Sequence, residues 1–267
     1  MADINPTAIV EEGARLAANV RVGPFCTVGA DVILGPGVAL RSHVIVTGRT
    51  EIGAGTLIHA FAAIGGSPQD MSYKDEPTAV RIGERCTIHE NATVHRGTAR
   101  GKGVTTIGND CFLMVGAHVA HDCVVGDHVV LTNCATLGGH VEVGEYAILG
   151  GLAAVQQRCR VGPHAFIGAL TGVTTDVIPF GMAVGHRAEL NGLNIVGMKR
   201  RGFDRPAIHA SRAAYRAIFF GTGGSLSERV EQVAREYAEV PAVMSIVKFI
   251  RAGNGTALCI PRDDNGN

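Results

Sequence analysis

Aliphatic residues recur at every sixth position along most of this chain: Val10, Leu16, Val22, Val28, Leu34, Leu40, Val46, Ile52, Ile58 and Ile64. After a break, Ile82, Ile88 and Val94 keep the spacing, and after a second break it runs unbroken from Ile107 through Leu113, Val119, Val125, Leu131, Leu137, Val143, Leu149, Val155, Val161 and Ile167 to Val173. Glycine commonly follows the aliphatic residue, as at Gly23, Gly35, Gly108, Gly126, Gly144 and Gly162, where the chain must bend tightly. A small residue usually sits four places on. Such a period predicts an all-β domain, a left-handed parallel β-helix of hexapeptide repeats, in which three short strands make one triangular coil and equivalent residues on successive coils lie three hexads apart. Stacked coils are about 4.8 Å apart. Strand alternation turns the aliphatic residue inward and its neighbours outward, so chemistry belongs to outward and corner residues.

Two segments interrupt the period. Between Ile64 and Ile82 the polar, turn-rich stretch GGSPQDMSYKDEPTAVR reads as a loop, about 65–81, that replaces one coil's worth of chain and leaves the register intact. From Val94 to Ile107 the phase slips by one residue across RGTARGKGVTT, a second loop at about 96–106. Long loops in a regular scaffold usually carry function. After Val173 the repeat fades, and IPFGMAVGHRAELNGLN reads as irregular. Helical spacing then appears in Ile208, Tyr215, Ile218 and Phe219, in Leu226, Val230, Val233 and Tyr237, and in Val243, Ile246, Val247 and Ile250. Ser225 or Ser227 suits a helix start, and Pro241 the first turn of the last helix. The expected organisation is a β-helix over 1–190, a small all-α domain over 191–260 and a disordered tail at 261–267.

Composition narrows the function classes. With 267 residues, 46% of them apolar, the chain can bury a large core without metal or disulfide. Lys plus Arg and Asp plus Glu are each 24, which argues against a bulk electrostatic partner and predicts no nucleic acid. No apolar run reaches the roughly 18 residues of a membrane span, and the first residues lack the zones of a signal peptide, so a cytoplasmic protein with no stable membrane insertion is expected. Seven cysteines form no Cys-x-x-Cys pair; Cys26, Cys86, Cys111, Cys123 and Cys159 fill the small position of the repeat and read as packing groups.

In FLMVGAHVAHDC, His118 and His121 flank the inward Val119, and Asp122 follows His121. Histidine suits proton transfer near neutral pH, and a carboxylate can fix its tautomer. Coil arithmetic places His121, Gly139 and Gln157 in one column and Asp122, His140 and Arg158 in the next. A base beneath a glycine N–H one coil away is a layout for acyl transfer. Residues alone leave a second account open, in which these histidines are tolerated surface groups. A metal site fits poorly: the gamma-class carbonic anhydrases, which share this type of β-helix, pair two histidines five apart with a third on an earlier coil, whereas His118 and His121 are three apart on opposite sides of Val119.

The motifs GPFCTVG, PQDMSYKDEPT, TVHRGT, GAHVAHDC, NCATLGGHVEVGEYAILGG and NIVGMKRRGF, in this order from about Thr7 into the helical domain, resemble the UDP-N-acetylglucosamine acyltransferases that begin lipid A biosynthesis. The resemblance implies a homotrimer with active sites between subunits, moving a 3-hydroxyacyl group from acyl carrier protein to the 3-hydroxyl of the UDP-sugar, without a cofactor. It implies His121 as general base, Asp122 as its orienting partner and the Gly139 amide as oxyanion donor. It assigns the sugar nucleotide to Gln69, Asp70, His118, His140, Gln156, Gln157, Asn194, Arg200 and Arg201, and acyl-chain length to Ala169, for a tail of roughly 12 to 14 carbons. Lys199, Arg200 and Arg201 also read as a solvated charge cluster; beside a diphosphate, bidentate arginine contacts are the better account. Four departures from the family pattern touch recognition: Ser72 in place of lysine, Gln156 in place of a histidine, Arg187 near a usual histidine, and Val196 in place of a carboxylate. Ser72 and Gln156 raise an alternative, amide formation on a 3-amino analogue of the sugar; a non-catalytic β-helix scaffold is a more distant one.

Overall fold

The computed structural model describes residues 1–253 and 255–262. Three sheets of 11, 9 and 8 strands form the faces of a prism. Face 1 stacks strands centred on Leu40, Ile58, Ile88, Leu113, Leu131, Leu149 and Ile167. Face 2 stacks Val46, Ile64, Val94, Val119, Leu137, Val155 and Val173, and face 3 stacks Leu34, Ile52, Ile82, Ile107, Val125, Val143 and Val161. All these pairings are parallel, so the fold is the parallel β-helix that the six-residue period predicts. From Val22 to Val173 the repeat's aliphatic residues are at most 4% exposed, while Val10 and Leu16, at the open end, are only partly covered.

The small position of the repeat forms a second inward column. Its five cysteines are buried, and the thiols of Cys86, Cys111 and Cys123 each donate to a carbonyl of the neighbouring coil, at Gly108, Gly126 and Gly138, 3.1 Å in each case. Burial pushes the Cys123 thiol up to about 12 and that of Cys159 up to about 11, so neither offers a thiolate near neutral pH. These are packing groups.

Both interruptions leave the prism at one corner, between faces 2 and 3, on successive coils. The first does not replace a coil. Ile64 stacks on Val94 and Ile52 on Ile82, so every coil stays complete and the extra chain is an excursion over 67–78. The second excursion spans 96–103. Both are shorter than the polar stretches suggest, because strands Ala63–Gly66, Ala79–Ile82 and Val104–Ile107 extend into them to satisfy backbone groups in the sheet.

The stretch read as irregular is also ordered. Gly181–Val184 adds to face 1 and pairs antiparallel with Glu189–Leu193, closing the end of the prism, so helix begins only at Ile195. Helices α1 (Ile195–Arg200), α2 (Arg205–Phe220), α3 (Leu226–Glu236) and α4 (Pro241–Arg251) follow. Ser225 caps α3 in a capping box with Glu228, and Pro241 opens α4. Ile208, Ile218, Val230, Val233, Val243 and Ile246 bury their side chains in a common core. Arg160 fastens this unit to the prism: it pairs with the buried Asp176 at 2.7 Å, donates to the carbonyls of Phe249 and Ala252, and lies over the Phe249 ring. Pro261 and Arg262 of the expected tail continue the described chain; 263–267 lie outside the described residues.

Candidate active site

The corner between faces 2 and 3 gathers the polar residues that the repeat does not require. On one coil it carries Ala120 to Cys123, on the next Gly138 to Val141, and on the third Gln156 to Cys159. The amide of His140 donates to the His121 carbonyl and that of Arg158 to the Gly139 carbonyl, which establishes the two columns. Asp122, His140 and Arg158 turn the corner with left-handed backbone, φ 60°, 62° and 67°. That conformation is uncommon for residues with a Cβ and is held by the coils on either side.

His121 Nδ1 lies 2.9 Å from Asp122 Oδ2. The imidazole is partly accessible and the carboxylate has no exposed surface. Burial alone raises a carboxyl's pKa, yet that of Asp122 lies below the ordinary range, because the Thr98 hydroxyl, His121 and the Thr98 amide bond it and His140 adds its charge. An ionised Asp122 draws the proton to Nδ1 and leaves Nε2 as the proton acceptor. Gly139 explains itself by contact: a Cβ there would sit 2.5 Å from His121 Cε1 and 2.6 Å from Nε2. Only glycine admits the ring, and the Gly139 amide donates to no group among the described residues.

Two further histidines surround the pair. His140 meets His121 edge-on at 5.0 Å between centroids, its Nε2 3.9 Å from Asp122 Oδ2, and desolvation lowers its pKa. His118 Nδ1 is 2.7 Å from the Thr93 hydroxyl, and desolvation followed by the charge of His121 lowers its pKa. Asp70, on the first excursion, is held below the ordinary carboxylate range by the Ser72 amide and then its hydroxyl, with His121 and Arg100 adding their charges. Ser72 thus orients Asp70. Gln69, Gln156 and Gln157 are exposed around the same corner.

Asn194, Arg200 and Arg201 do not join this group within one chain. Asn194 caps α1 and donates to the His164 carbonyl; Arg201 donates to the Tyr146 carbonyl at 2.8 Å and covers the Tyr146 ring. Tyr146 and His164 occupy the corner between faces 3 and 1, so these residues lie on another edge of the prism, with Arg200 exposed. Arg201 is therefore no freely solvated charge. Ala169 is exposed on the third edge, between faces 1 and 2.

Reading the sequence overlooked His95, Arg96 and Thr98, although TVHRGT contains them all. Arg96 donates to the Gly65 carbonyl, Ser67 and Tyr73, tying the first excursion to the second. His95 packs edge-on against His118, and desolvation, followed by the proximity of His118, His121 and Arg96, lowers its pKa to about 4. Only the partners of these residues reveal their work, and the partners lie on other coils. Two trios offer convergent ligand atoms for a cation among the described residues, His121/Asp122/His140 and His59/His89/Glu90. In the first, His121 Nδ1 already bonds the carboxylate; in the second, the rings stack within 9° of parallel and both Nδ1 atoms lie 3.3 Å from the Glu90 carboxylate.

A bacterial transferase hexapeptide model matches residues 105–139, and a model described as UDP-N-acetylglucosamine O-acyltransferase, domain 2, matches 176–258. A relative from Caulobacter vibrioides named acyl-[acyl-carrier-protein]–UDP-N-acetylglucosamine O-acyltransferase is 54% identical, covering 97% of this chain and 98% of its own. The chain belongs to the UDP-N-acetylglucosamine O-acyltransferase family. Another member so named, from Azorhizobium caulinodans, is 52% identical over 97% of this chain and 95% of its own. The crystal structure of the family member from Moraxella catarrhalis superposes with a TM-score of 0.93 at 38% identity, covering 96% of this chain and 99% of that one. An Arabidopsis member superposes at 0.84, with 33% identity over 96% and 99% of the two chains. The match thus spans the prism, both excursions and the helices.

Proposed function

We propose that this chain is an acyl-[acyl-carrier-protein]–UDP-N-acetylglucosamine O-acyltransferase, transferring a 3-hydroxyacyl group to the sugar 3-hydroxyl in the first step of lipid A biosynthesis. The near-full-length identity to relatives of that name supports the hydroxyl acceptor over the 3-amino analogue. One geometric observation carries the mechanism: an imidazole bonded through Nδ1 to an ionised, buried carboxylate and pressed against a glycine with an undonated amide.

His121 Nε2 takes the proton of the 3-hydroxyl as its oxygen attacks the thioester carbon. The carbonyl electron pair moves onto oxygen, where the Gly139 N–H stabilises it. Collapse of the tetrahedral intermediate re-forms the carbonyl, breaks the carbon–sulfur bond and expels the thiolate, which takes the proton back from His121. Asp122 keeps the imidazole oriented and stabilises its charged form without itself being protonated. No cofactor enters this scheme, because the thioester is already activated.

The residues assigned to the sugar nucleotide lie on two edges of the prism and Ala169 on the third, so a site holding all of them needs more than one copy, which supports a homotrimer with sites between copies. The edge between faces 1 and 2 also exposes Phe25, Phe61, Leu152 and Leu170, apolar surface suited to burial against another copy. Exposed Lys199, Arg205, Arg212 and Arg216 give the helical unit a cationic surface for an acidic carrier protein. No helix among the described residues is long and apolar enough to cross a membrane, which suits an enzyme drawing both substrates from the cytoplasm.

The test is twofold. Purified enzyme offered UDP-N-acetylglucosamine and its 3-amino analogue in competition should acylate oxygen preferentially; preference for the amine selects the amide reading. His121→Ala should lose on the order of 10²–10⁴-fold in kcat while keeping its fold, and near-normal turnover removes His121 as the base.

A further inference from the structure

The second excursion ends on Asp122. Thr98 donates its amide to both carboxylate oxygens, 3.1 Å to Oδ1 and 3.0 Å to Oδ2, and its hydroxyl to Oδ2 at 2.6 Å. The Gly103 amide adds a bond to Oδ1 at 3.1 Å, and Thr105 Oγ1 accepts from the Asp122 amide at 2.8 Å. Thr98 is itself buried, 5% exposed. Between Thr98 and Gly103 the chain makes a turn closed by the Gly101 and Gly103 amides on the Thr98 carbonyl, and Gly101 lies so near that a Cβ there would overlap the Asp122 carboxylate. Nothing in the hexapeptide repeat requires this seven-residue surplus of chain. Its buried contacts converge on one carboxylate.

Asp122 Oδ2 has a choice of imidazoles: His121 Nδ1 at 2.9 Å and His140 Nε2 at 3.9 Å. A carboxylate free to rotate could pair with either, and only the first pairing leaves His121 Nε2 as a base. We propose that Thr98, seated in the Gly97–Gly103 turn, is a positioning residue for the general base: its hydroxyl and amide lock the Asp122 carboxylate onto His121 and away from His140. Thr98 acts only through Asp122. The second excursion therefore serves to build a receptor for the carboxylate, and the proposal rests on the assignment of His121 as base.

The titratable and charged groups at the His121–Asp122 pair are Cys123 and His140 beside the carboxylate, Arg158 and Lys102 beside His140, and His95, His118 and Asp70 facing His121; Lys102 is held by Glu142 at 2.6 Å. Removing the Thr98 hydroxyl strips one donor from Oδ2 and frees the carboxylate to turn from His121 towards His140, which weakens the pairing that favours a charged His121.

The experiment compares Thr98→Val, Thr98→Ala and Thr98→Ser with wild type and with His121→Ala, measuring kcat, both KM values, the pH profile of kcat/KM and thermal unfolding. Val and Ala should lower kcat roughly tenfold at unchanged KM, since a positional error near 1 Å costs about 10²-fold and two amide bonds to the carboxylate remain. Their acidic limb should move to lower pH, because His121 loses the carboxylate that favours its charged form, and Ser should restore both quantities. A folded Val or Ala variant with wild-type kcat and an unmoved limb overturns the proposal, as does a Ser variant that behaves like Ala. Collapse of the fold in both Val and Ala makes Thr98 a stability residue and also overturns it. His121→Ala separates the two claims: if it retains turnover the base assignment fails, and if it is inactive while Thr98→Val is unaltered only the role of Thr98 fails.

Discussion

Gly139→Ala isolates the contact between His121, the proposed base, and its neighbouring coil. Gly139 has no left-handed backbone, so alanine meets no conformational penalty there, and the whole effect comes from the added methyl. That carbon would stand 2.5 to 2.6 Å from two atoms of the His121 ring, where an ordinary contact needs about 3.5 Å or more. The imidazole must therefore withdraw by about 1 Å, or its bond to Asp122 must break. A displacement of that size costs about 10²-fold in kcat, and overpacking a partly accessible site costs about 1 to 3 kcal/mol of stability. The assay is kcat and KM with acyl carrier protein thioester and UDP-N-acetylglucosamine, alongside the unfolding midpoint. We expect a kcat near one-hundredth of wild type with the fold intact. A Gly139→Ala enzyme with wild-type kcat would refute the arrangement of base and glycine described above.

Three further outcomes follow from other parts of the molecule. Burial, followed by the charge of Arg201, holds His164 to a pKa of about 4, and its Nδ1 has no hydrogen-bond partner among the described residues; below the unfolded-state value of about 6.5 the unfolded chain binds the extra proton, so His164 weakens the fold as pH falls from about 6.5 towards 4. His164→Phe, which can continue the Tyr146–Phe180 ring stack, should flatten the decline of unfolding temperature with acid; an unchanged slope counts against this account. Asp176→Ala leaves Arg160 without its buried partner and should cost about 3 to 5 kcal/mol in chemical denaturation, with a loss below 1 kcal/mol refuting the clamp. Ala169→Met should shift preference towards shorter acyl donors at a discrimination of about 1 to 3 kcal/mol per misfitted methylene, and an unchanged chain-length ranking removes Ala169 as the acyl-length residue.

The amino-acid sequence by itself determined the prism, because a six-residue inward period is a local property repeated many times and coil arithmetic needs only a constant step. It was enough to put His121 under Gly139 and Asp122 beside His140, and the shared motifs carried the family. It could not say where the surplus chain goes. Asp122 takes its bonds from Thr98 and Gly103, roughly one coil and an excursion earlier, and Arg96 reaches back to Gly65 and Tyr73 across a similar gap. Such pairings depend on how an aperiodic loop folds over a corner, which no period encodes. The same holds for Asn194 and Arg201, whose hydrogen bonds seat them on a different edge from His121. Composition names the residues that can do chemistry; only tertiary structure decides which edge each one occupies, because an edge is assembled from segments a coil or more apart in the chain.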